Sequence, residues 1–321
     1  MRSKKVIIPI VIILILLLIP FGMVDFLYKK AFAHRSSNQW HLYEYMLSAY
    51  PDLNREPIQF SSNNGQILRG YLYHYTEKTY DTYKGIIIMC HACGRGHDSY
   101  MQEIEYFARS GYLIMGYDNT GMNRSDGETL VGISQSPIDL HYAMLYVENT
   151  MELKNLPILL YGQSWGGYGV ASVGKYAHDV KAIVSVAGFE NNSGLIVHKG
   201  KQYIGSFMGS LHSFFYPYAQ IYEWIIFGKD AGISGIKGFS KTKANVMLIH
   251  SKEDDFVSYD ESFLKYKKEF KENPRFTFLS LTGHGHNGVL SSDINNNAEN
   301  GLRRLDETIM KKVVLFYDDA I

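Results

Sequence analysis

The stretch ILLYGQSWGGYGV, residues 158–170, decides the fold. Its first part, Ile158 to Gly162, is a short apolar run that predicts a buried strand, and a helix is predicted from Trp165 to Tyr176. The glycines on either side of Ser164 fit the pattern G-x-S-x-G, in which a sharp strand-to-helix turn leaves no room for neighbouring side chains. This turn raises a serine hydroxyl to the top of a sheet, so Ser164 is the predicted nucleophile.

The rest of the chain repeats the alternation of strand and helix that is typical of βαβ units. Nearly continuous apolar strands such as GIIIMC fit a sheet that is covered on both faces. The other predicted strands are Gly70–Tyr75, Gly85–Cys90, Tyr112–Asp118, Ala182–Ala187, Val246–Ser251 and Phe276–Leu281, and the other helices are Ser99–Arg109, Pro137–Asn149, Tyr259–Lys271 and Arg303–Tyr317. The predicted fold class is α/β, with a mostly parallel central sheet flanked by helices.

A serine nucleophile needs a histidine base and a carboxylate that orients the base. On this architecture the chain order is serine, acid, histidine. Asp254 follows one predicted strand, and His286 follows the last one, in the segment GHGH. Asp254 is preferred to Asp255 because an apolar residue stands three positions after it, and His286 is preferred to His284 because it follows the second glycine. Both neighbours remain alternatives.

These residues resemble the α/β-hydrolase superfamily, from about residue 50 to the C-terminus. The segment YDNTGMNRSDG, residues 117–127, is similar to a loop of the branch that contains serine aminopeptidase-like and monoacylglycerol-lipase-like enzymes. The resemblance implies an oxyanion hole formed by the backbone N–H groups of Cys93 and Trp165. It also implies a helical lid in the long aromatic insertion at 190–244, for which an extra helical hairpin without a binding role is the alternative.

Both cysteines lie in MCHACGRGH, residues 89–97, which invites a metal or redox interpretation. A structural zinc site usually recruits a second ligand pair elsewhere in the sequence, and the chain has no other cysteine. The segment instead follows a predicted strand at the place of the oxyanion loop, where backbone groups act. No cofactor and no metal are therefore expected.

The N-terminus is the exception to a globular composition. Residues 6–24 run without a charge, close to the roughly 20 residues that span a bilayer as a helix. We predict a single-pass membrane anchor at 1–30, a juxtamembrane helix within 31–53 and a hydrolase domain at 54–321, with the catalytic domain outside the cytoplasm. The alternative is a secreted protein whose signal peptide is cleaved at Ala31-Phe32-Ala33. Lys+Arg and Asp+Glu balance at 32 each, so no nucleic-acid partner is expected.

The predicted activity is hydrolysis of a carboxylic ester through Ser164, Asp254 and His286, with an acyl-enzyme intermediate. Aromatic residues in the insertion and an anchor favour a small-molecule or lipid acyl substrate. A peptidase of the same fold is one alternative. A catalytically silent, membrane-anchored binding protein is the alternative from a different class.

Overall fold

The computed structural model describes residues 2–37, 47–75, 82–191, 205, 212–292 and 304–321. Within these ranges the chain forms an eight-stranded sheet with helices on both faces. The strands are β1 Asn54–Ser61, β2 Ile67–His74, β3 Ile86–Cys90, β4 Leu113–Tyr117, β5 Ile158–Gln163, β6 Val180–Val186, β7 Asn245–Ser251 and β8 Phe276–Leu281. The α-helices are α1 Arg2–Phe32, α2 Met101–Arg109, α3 Gln135–Asn149, α4 Trp165–Ser172, α5 His212–Phe227, α6 Gly235–Lys241, α7 Lys265–Phe270 and α8 Glu307–Asp318.

The strand order is β1-β2-β4-β3-β5-β6-β7-β8. β2 pairs antiparallel with β1 and β4, and every other neighbouring pair is parallel. The carboxyl ends of β3, β5, β6, β7 and β8 therefore gather at the same edge, which is where open α/β sheets build their sites.

The alternation of side chains along β3 shows how the two core layers form. Ile86, Ile88 and Cys90 belong to one buried cluster, with residues of α3, α4 and α6. Ile87 and Met89 belong to the cluster on the opposite face, with residues of α2 and α8. Since successive side chains of a strand point to opposite faces, an all-apolar strand is what a doubly covered sheet requires.

The α/β class and each strand predicted above are confirmed, and β1 is an addition that the sequence did not predict. Helix boundaries differ by a few residues. α4 ends at Ser172 and a short 3₁₀ turn continues to Lys175. α8 begins at Glu307 because the Asp306 carboxylate accepts hydrogen bonds from the backbone N–H groups of Thr308 and Ile309.

The juxtamembrane segment differs from the predicted helix where the structure describes it. α1 ends at Phe32, and Ser36 pairs with Met122 in an isolated bridge. The Arg35 guanidinium donates to backbone carbonyls of the 117–127 loop, so this part of the chain is extended against the domain. Residues 38–46 of the predicted helix lie outside the described residues.

The transmembrane helix predicted at 1–30 has no support from the described residues, among which no helix is long and apolar enough to cross a bilayer. Instead, the last third of α1 is packed against the domain. Its buried side chains are Val24, Leu27, Tyr28, Ala31 and Phe32. These apolar side chains contact residues of α5 and of the loops around Ser164. The localisation drawn from the anchor stays a prediction.

The insertion predicted as a lid at 190–244 is described in part. Residues 192–204 and 206–211 lie outside the described residues. The remainder contains α5 and α6, and α5 packs against α1 through Tyr222, whose ring lies 5.7 Å from that of Phe21 and 4.7 Å from that of Tyr28. Whether this insertion acts as a lid stays a prediction.

Candidate active site

Ser164 occupies the sharp turn between β5 and α4. Its backbone has φ 56° and ψ −112°, a conformation that residues with a side chain rarely adopt. A Cβ added to Gly166 would lie 1.8 Å from the carbonyl oxygen of Cys90, and one added to Gly162 would lie 2.3 Å from the carbonyl oxygen of Gly166. The turn therefore needs glycine at both positions, and it holds Ser164 at the carboxyl edge of the sheet.

The three residues predicted from the order serine, acid, histidine lie within hydrogen-bonding distance of one another. His286 Nε2 lies 3.0 Å from Ser164 Oγ, and His286 Nδ1 lies 2.8 Å from Asp254 Oδ2. All three are buried. Because a carboxylate only accepts, His286 carries its hydrogen on Nδ1 and presents Nε2 as the acceptor for the serine hydroxyl. This arrangement can remove a proton from Ser164.

Asp254 is held by four donors. Its Oδ1 accepts from the backbone N–H groups of Phe256 and Val257 at 2.9 and 2.7 Å. Its Oδ2 is shared by His286 and His250, with His250 Nε2 at 3.1 Å. Burial opposes ionisation of Asp254, but the hydrogen bonds from His250 and His286 outweigh it and hold the pKa of this carboxyl well below its usual range. The group is an anion at neutral pH.

The residues that the sequence left as alternatives have other surroundings. His284 Nδ1 donates to the carbonyl oxygen of Gly288 at 3.1 Å. Asp255 is exposed. His250, by contrast, contacts the site and was missed by sequence analysis. Its only sequence signal is its position at the end of an apolar strand, four residues before Asp254.

Cys93 belongs to the loop that follows β3, and the start of this loop lies close to the turn at Ser164. The close approach of Gly166 to Cys90 brings the two segments together. In this loop the Ala92 N–H donates to Tyr100 Oη at 3.0 Å, so it is already engaged. Trp165 is the first residue of α4, directly after Ser164. Trp165 therefore directly adjoins the serine, and Cys93 packs against the cluster that contains Trp165. That the backbone N–H groups of these two residues bind an oxyanion stays a prediction.

The first histidine and the first cysteine of MCHACGRGH have structural roles. His91 Nε2 accepts from the Asn119 N–H at 2.9 Å and Nδ1 donates to the Ala92 carbonyl at 2.9 Å. Burial lowers the pKa of His91, which agrees with a neutral ring that donates once and accepts once. Burial raises the pKa of the Cys90 thiol to about 12, and its Sγ lies 3.3 Å from Ser136 Oγ. Cys90 is therefore an inert core residue.

An apolar cluster from α1, α5 and the site loops forms one side of the site. We call it the α1/α5 wall. Its buried members are Val24, Leu27, Tyr28, Ala31, Phe32, Met122, Leu130, Ile133, Trp165, Tyr168, Phe189, Phe215, Ala219 and Val257, and Cys93 and Phe256 pack against it half-buried. The ring of Phe256 stacks on the imidazole of His286 at 4.8 Å. The wall therefore reaches from the N-terminal helix to the triad.

A buried polar contact fixes the α1/α5 wall. Tyr28 on α1 and Ser134, just before α3, both donate to the Glu223 carboxylate on α5. The Tyr28 hydroxyl accepts from the Ile133 N–H at 3.0 Å, and the Ile133 carbonyl accepts from the Trp165 indole at 2.8 Å. Burial raises the pKa of Glu223 to about 7, although the hydrogen bonds from Ser134 and Tyr28 lower it. Three segments that are distant in sequence are thus linked to the residue after the nucleophile.

Solved structures that are similar to this chain decide the fold. An esterase of Pyrococcus furiosus superposes with a TM-score of 0.64 at 15% identity, over 89% of this chain and 98% of the esterase. An acylaminoacyl peptidase of Pyrococcus horikoshii superposes with a TM-score of 0.59 at 15% identity, over 86% of this chain and 43% of the peptidase. The chain has the α/β-hydrolase fold.

Sequence comparisons match part of this chain. The model of the serine aminopeptidase family S33 matches residues 81–223, which include Ser164 but neither Asp254 nor His286. A polyketide transferase of Aspergillus fumigatus is 27% identical over 143 residues, 43% of this chain and 47% of the relative, so the match spans about half of that protein. The family match and the esterase and peptidase neighbours together support a serine hydrolase enzyme.

Proposed function

We propose that this enzyme cleaves carboxylic esters through Ser164, His286 and Asp254. The observation that carries the proposal is the hydrogen-bonded series Ser164–His286–Asp254, at 3.0 and 2.8 Å, at a strained strand-to-helix turn. This series is the arrangement that makes a serine nucleophilic on several unrelated folds.

The proposed reaction proceeds by acyl transfer to water. His286 Nε2 takes the proton of the Ser164 hydroxyl while Oγ attacks the ester carbonyl carbon, and Asp254 stabilises the imidazolium that forms. The N–H groups of Cys93 and Trp165 bind the oxyanion of the tetrahedral intermediate. His286 then gives its proton to the leaving alkoxide, and the acyl-enzyme forms. Water repeats the sequence with His286 as base and releases the acid and the free serine.

The α1/α5 wall supports an apolar acyl group as the substrate. Its aromatic and aliphatic side chains approach the triad through Phe256 and Cys93. Burying a methylene is worth about 0.8 kcal/mol, which is about fourfold in an equilibrium or rate constant. An acyl chain that lies along this wall gains that amount with each added carbon until the available surface is filled.

The test is a series of p-nitrophenyl esters of increasing acyl length, assayed beside aminoacyl amides. We expect kcat/KM to rise with chain length by up to about fourfold per methylene, with the amides hydrolysed far more slowly. Cleavage of the amides without cleavage of the esters would identify a peptidase instead. No turnover of either class by folded protein would favour a binding protein.

We also propose that the enzyme works at a lipid surface. The outward faces of α1 and α5 expose large apolar side chains: Leu18, Ile19, Phe26, Ile221, Trp224 and Ile225. Lys30 is exposed beside this patch, with Nζ 5.8 Å from the ring of Phe26. An exposed tryptophan with neighbouring aliphatic side chains and lysine is the combination that lies at a bilayer interface with anionic lipid.

Substitution of Trp224 and Ile225 by serine tests the lipid surface. We expect the double variant to lose several-fold in hydrolysis of a long-chain ester embedded in phosphatidylglycerol vesicles, because apolar contact with the bilayer is removed. Hydrolysis of a water-soluble short-chain ester should stay at the wild-type rate. Leu315→Ser, on the exposed face of α8, is the matched control. Equal loss on both substrates, or no loss on either, would contradict the proposal.

A further inference from the structure

His250 contacts the proposed triad although the mechanism above does not use it. The residue lies on β7 and is 2% exposed. Its Nε2 lies 3.1 Å from Asp254 Oδ2 and 3.1 Å from the carbonyl oxygen of Val257. Since both partners only accept, Nε2 carries the hydrogen and is shared between them.

The hydrogen bonds of His250 close a ring around the carboxylate. Asp254 Oδ1 accepts from the Val257 N–H at 2.7 Å, and the carbonyl of the same Val257 accepts from His250 at 3.1 Å. The carboxylate, the turn that follows it and the imidazole of β7 are thus tied to each other. Rotation of the carboxylate away from His286 would break the bond from His250 as well.

We propose that His250 is a positioning residue, which fixes the Asp254 carboxylate toward His286 and shares its negative charge between two imidazole donors. The inference rests on the proposed function, because it concerns the same serine, histidine and aspartate. Without the donor at position 250, the charge of Asp254 is concentrated on its bond to His286. The protonated form of the base is then favoured, and activity is lost at a higher pH as the solution is acidified.

Among the residues that the structure describes, few other ionisable groups surround this pair. The ring of Tyr259 packs edge-on against His250 at 5.8 Å, and its hydroxyl bonds to Ser280 Oγ instead. Glu253 is exposed and accepts from the backbone N–H of Gly283. Asp255 is exposed, and His284 donates to the carbonyl oxygen of Gly288. Phe263 completes the aromatic packing around the His250 ring, with centroids 6.1 Å apart. A phenylalanine at position 250 would therefore face aromatic rings and would add no charge.

The experiment compares His250→Phe with His250→Gln by their rates of labelling with a fluorophosphonate over the pH range in which each stays folded. Phenylalanine keeps a ring and removes the donor, whereas the glutamine amide places an N–H near the position of Nε2. We expect labelling of His250→Phe to fall on the order of tenfold or more, as for loss of a hydrogen bond to a charged group, and its acidic limb to move to higher pH. His250→Gln should recover most of the rate and the wild-type limb.

Several outcomes would overturn the inference. Labelling of His250→Phe at the wild-type rate would show that the hydrogen bond from His250 is dispensable. An equal fall of both variants at every pH would show that the histidine only fills space. If His250→Phe does not fold, His250→Asn takes its place in the comparison. The side chain of asparagine is one methylene shorter than that of glutamine, so its amide does not reach Asp254. Equal labelling of the Asn and Gln variants would again overturn the role. Failure of the proposed function is distinguishable: without a working triad the wild-type protein would not label at all, and a serine peptidase would label but leave the p-nitrophenyl esters uncleaved.

Discussion

Substitution of Ser164 by alanine is expected to abolish ester hydrolysis and fluorophosphonate labelling, with a loss on the order of 10⁶-fold in kcat. The reason is that the hydroxyl is the only atom of the turn placed to attack a carbonyl while hydrogen-bonded to His286. Alanine keeps the Cβ and can occupy the same strained backbone. Circular dichroism and thermal unfolding should therefore match the wild type, so that the loss reports chemistry rather than folding.

Ser172→Ala is the matched control for this prediction. Ser172 is a fully buried serine at the end of the same helix, α4, and its hydroxyl accepts from the Ile233 N–H at 3.1 Å. This control should label at the wild-type rate. Continued labelling of Ser164→Ala would show that another residue is the nucleophile, and the triad assignment would be wrong.

Replacement of Cys93 by proline is expected to lower kcat by about 10² to 10³, which is the effect of losing one oxyanion donor, about 3 kcal/mol. Proline has no backbone N–H, so the loop keeps its length but cannot bond the oxyanion from this position. The neighbouring Ala92 N–H cannot take over, because it already donates to Tyr100 Oη. The change should appear in kcat more than in KM, since the oxyanion exists only after attack.

Cys93→Ala is the comparison that separates the thiol from the backbone. Alanine removes the sulfur and retains the N–H, so its kcat should fall far less than that of Cys93→Pro. Thermal unfolding of both variants checks that proline has not disrupted the loop. Equal losses in the two variants would assign the effect to the side chain, and near-wild-type kcat in Cys93→Pro would place the donor elsewhere in the loop.

The fold could be predicted from the sequence wherever the residue types of a short segment reflect its surroundings in the folded protein. β3 is apolar at every position because both faces of the sheet are covered, and the turn at Ser164 needs glycine for reasons within a few residues of it. β1 was missed because only Ile58 and Phe60 of its eight residues are buried and Pro57 interrupts the pattern.

Residues of the candidate site could be predicted from the sequence only where they come directly after a predicted strand. Ser164, Asp254 and His286 each follow a strand, and parallel strands bring those ends together. The contact of His250 with Asp254 gives no such signal, because a histidine inside a strand is indistinguishable in sequence from a packing residue. The apolar run of α1 is similarly ambiguous, since its composition is suited both to lipid and to the protein surface that buries Tyr28 and Phe32.

The contact between Tyr28 and Glu223 joins positions that are 195 residues apart in the chain. During synthesis, at about 5–20 residues per second, roughly 10–40 s separate the emergence of the first from that of the second. Throughout that interval the buried face of α1 has no partner on α5, and any factor that binds apolar nascent segments has access to it. The contact between α1 and α5 is therefore completed only after most of the sheet has been synthesised.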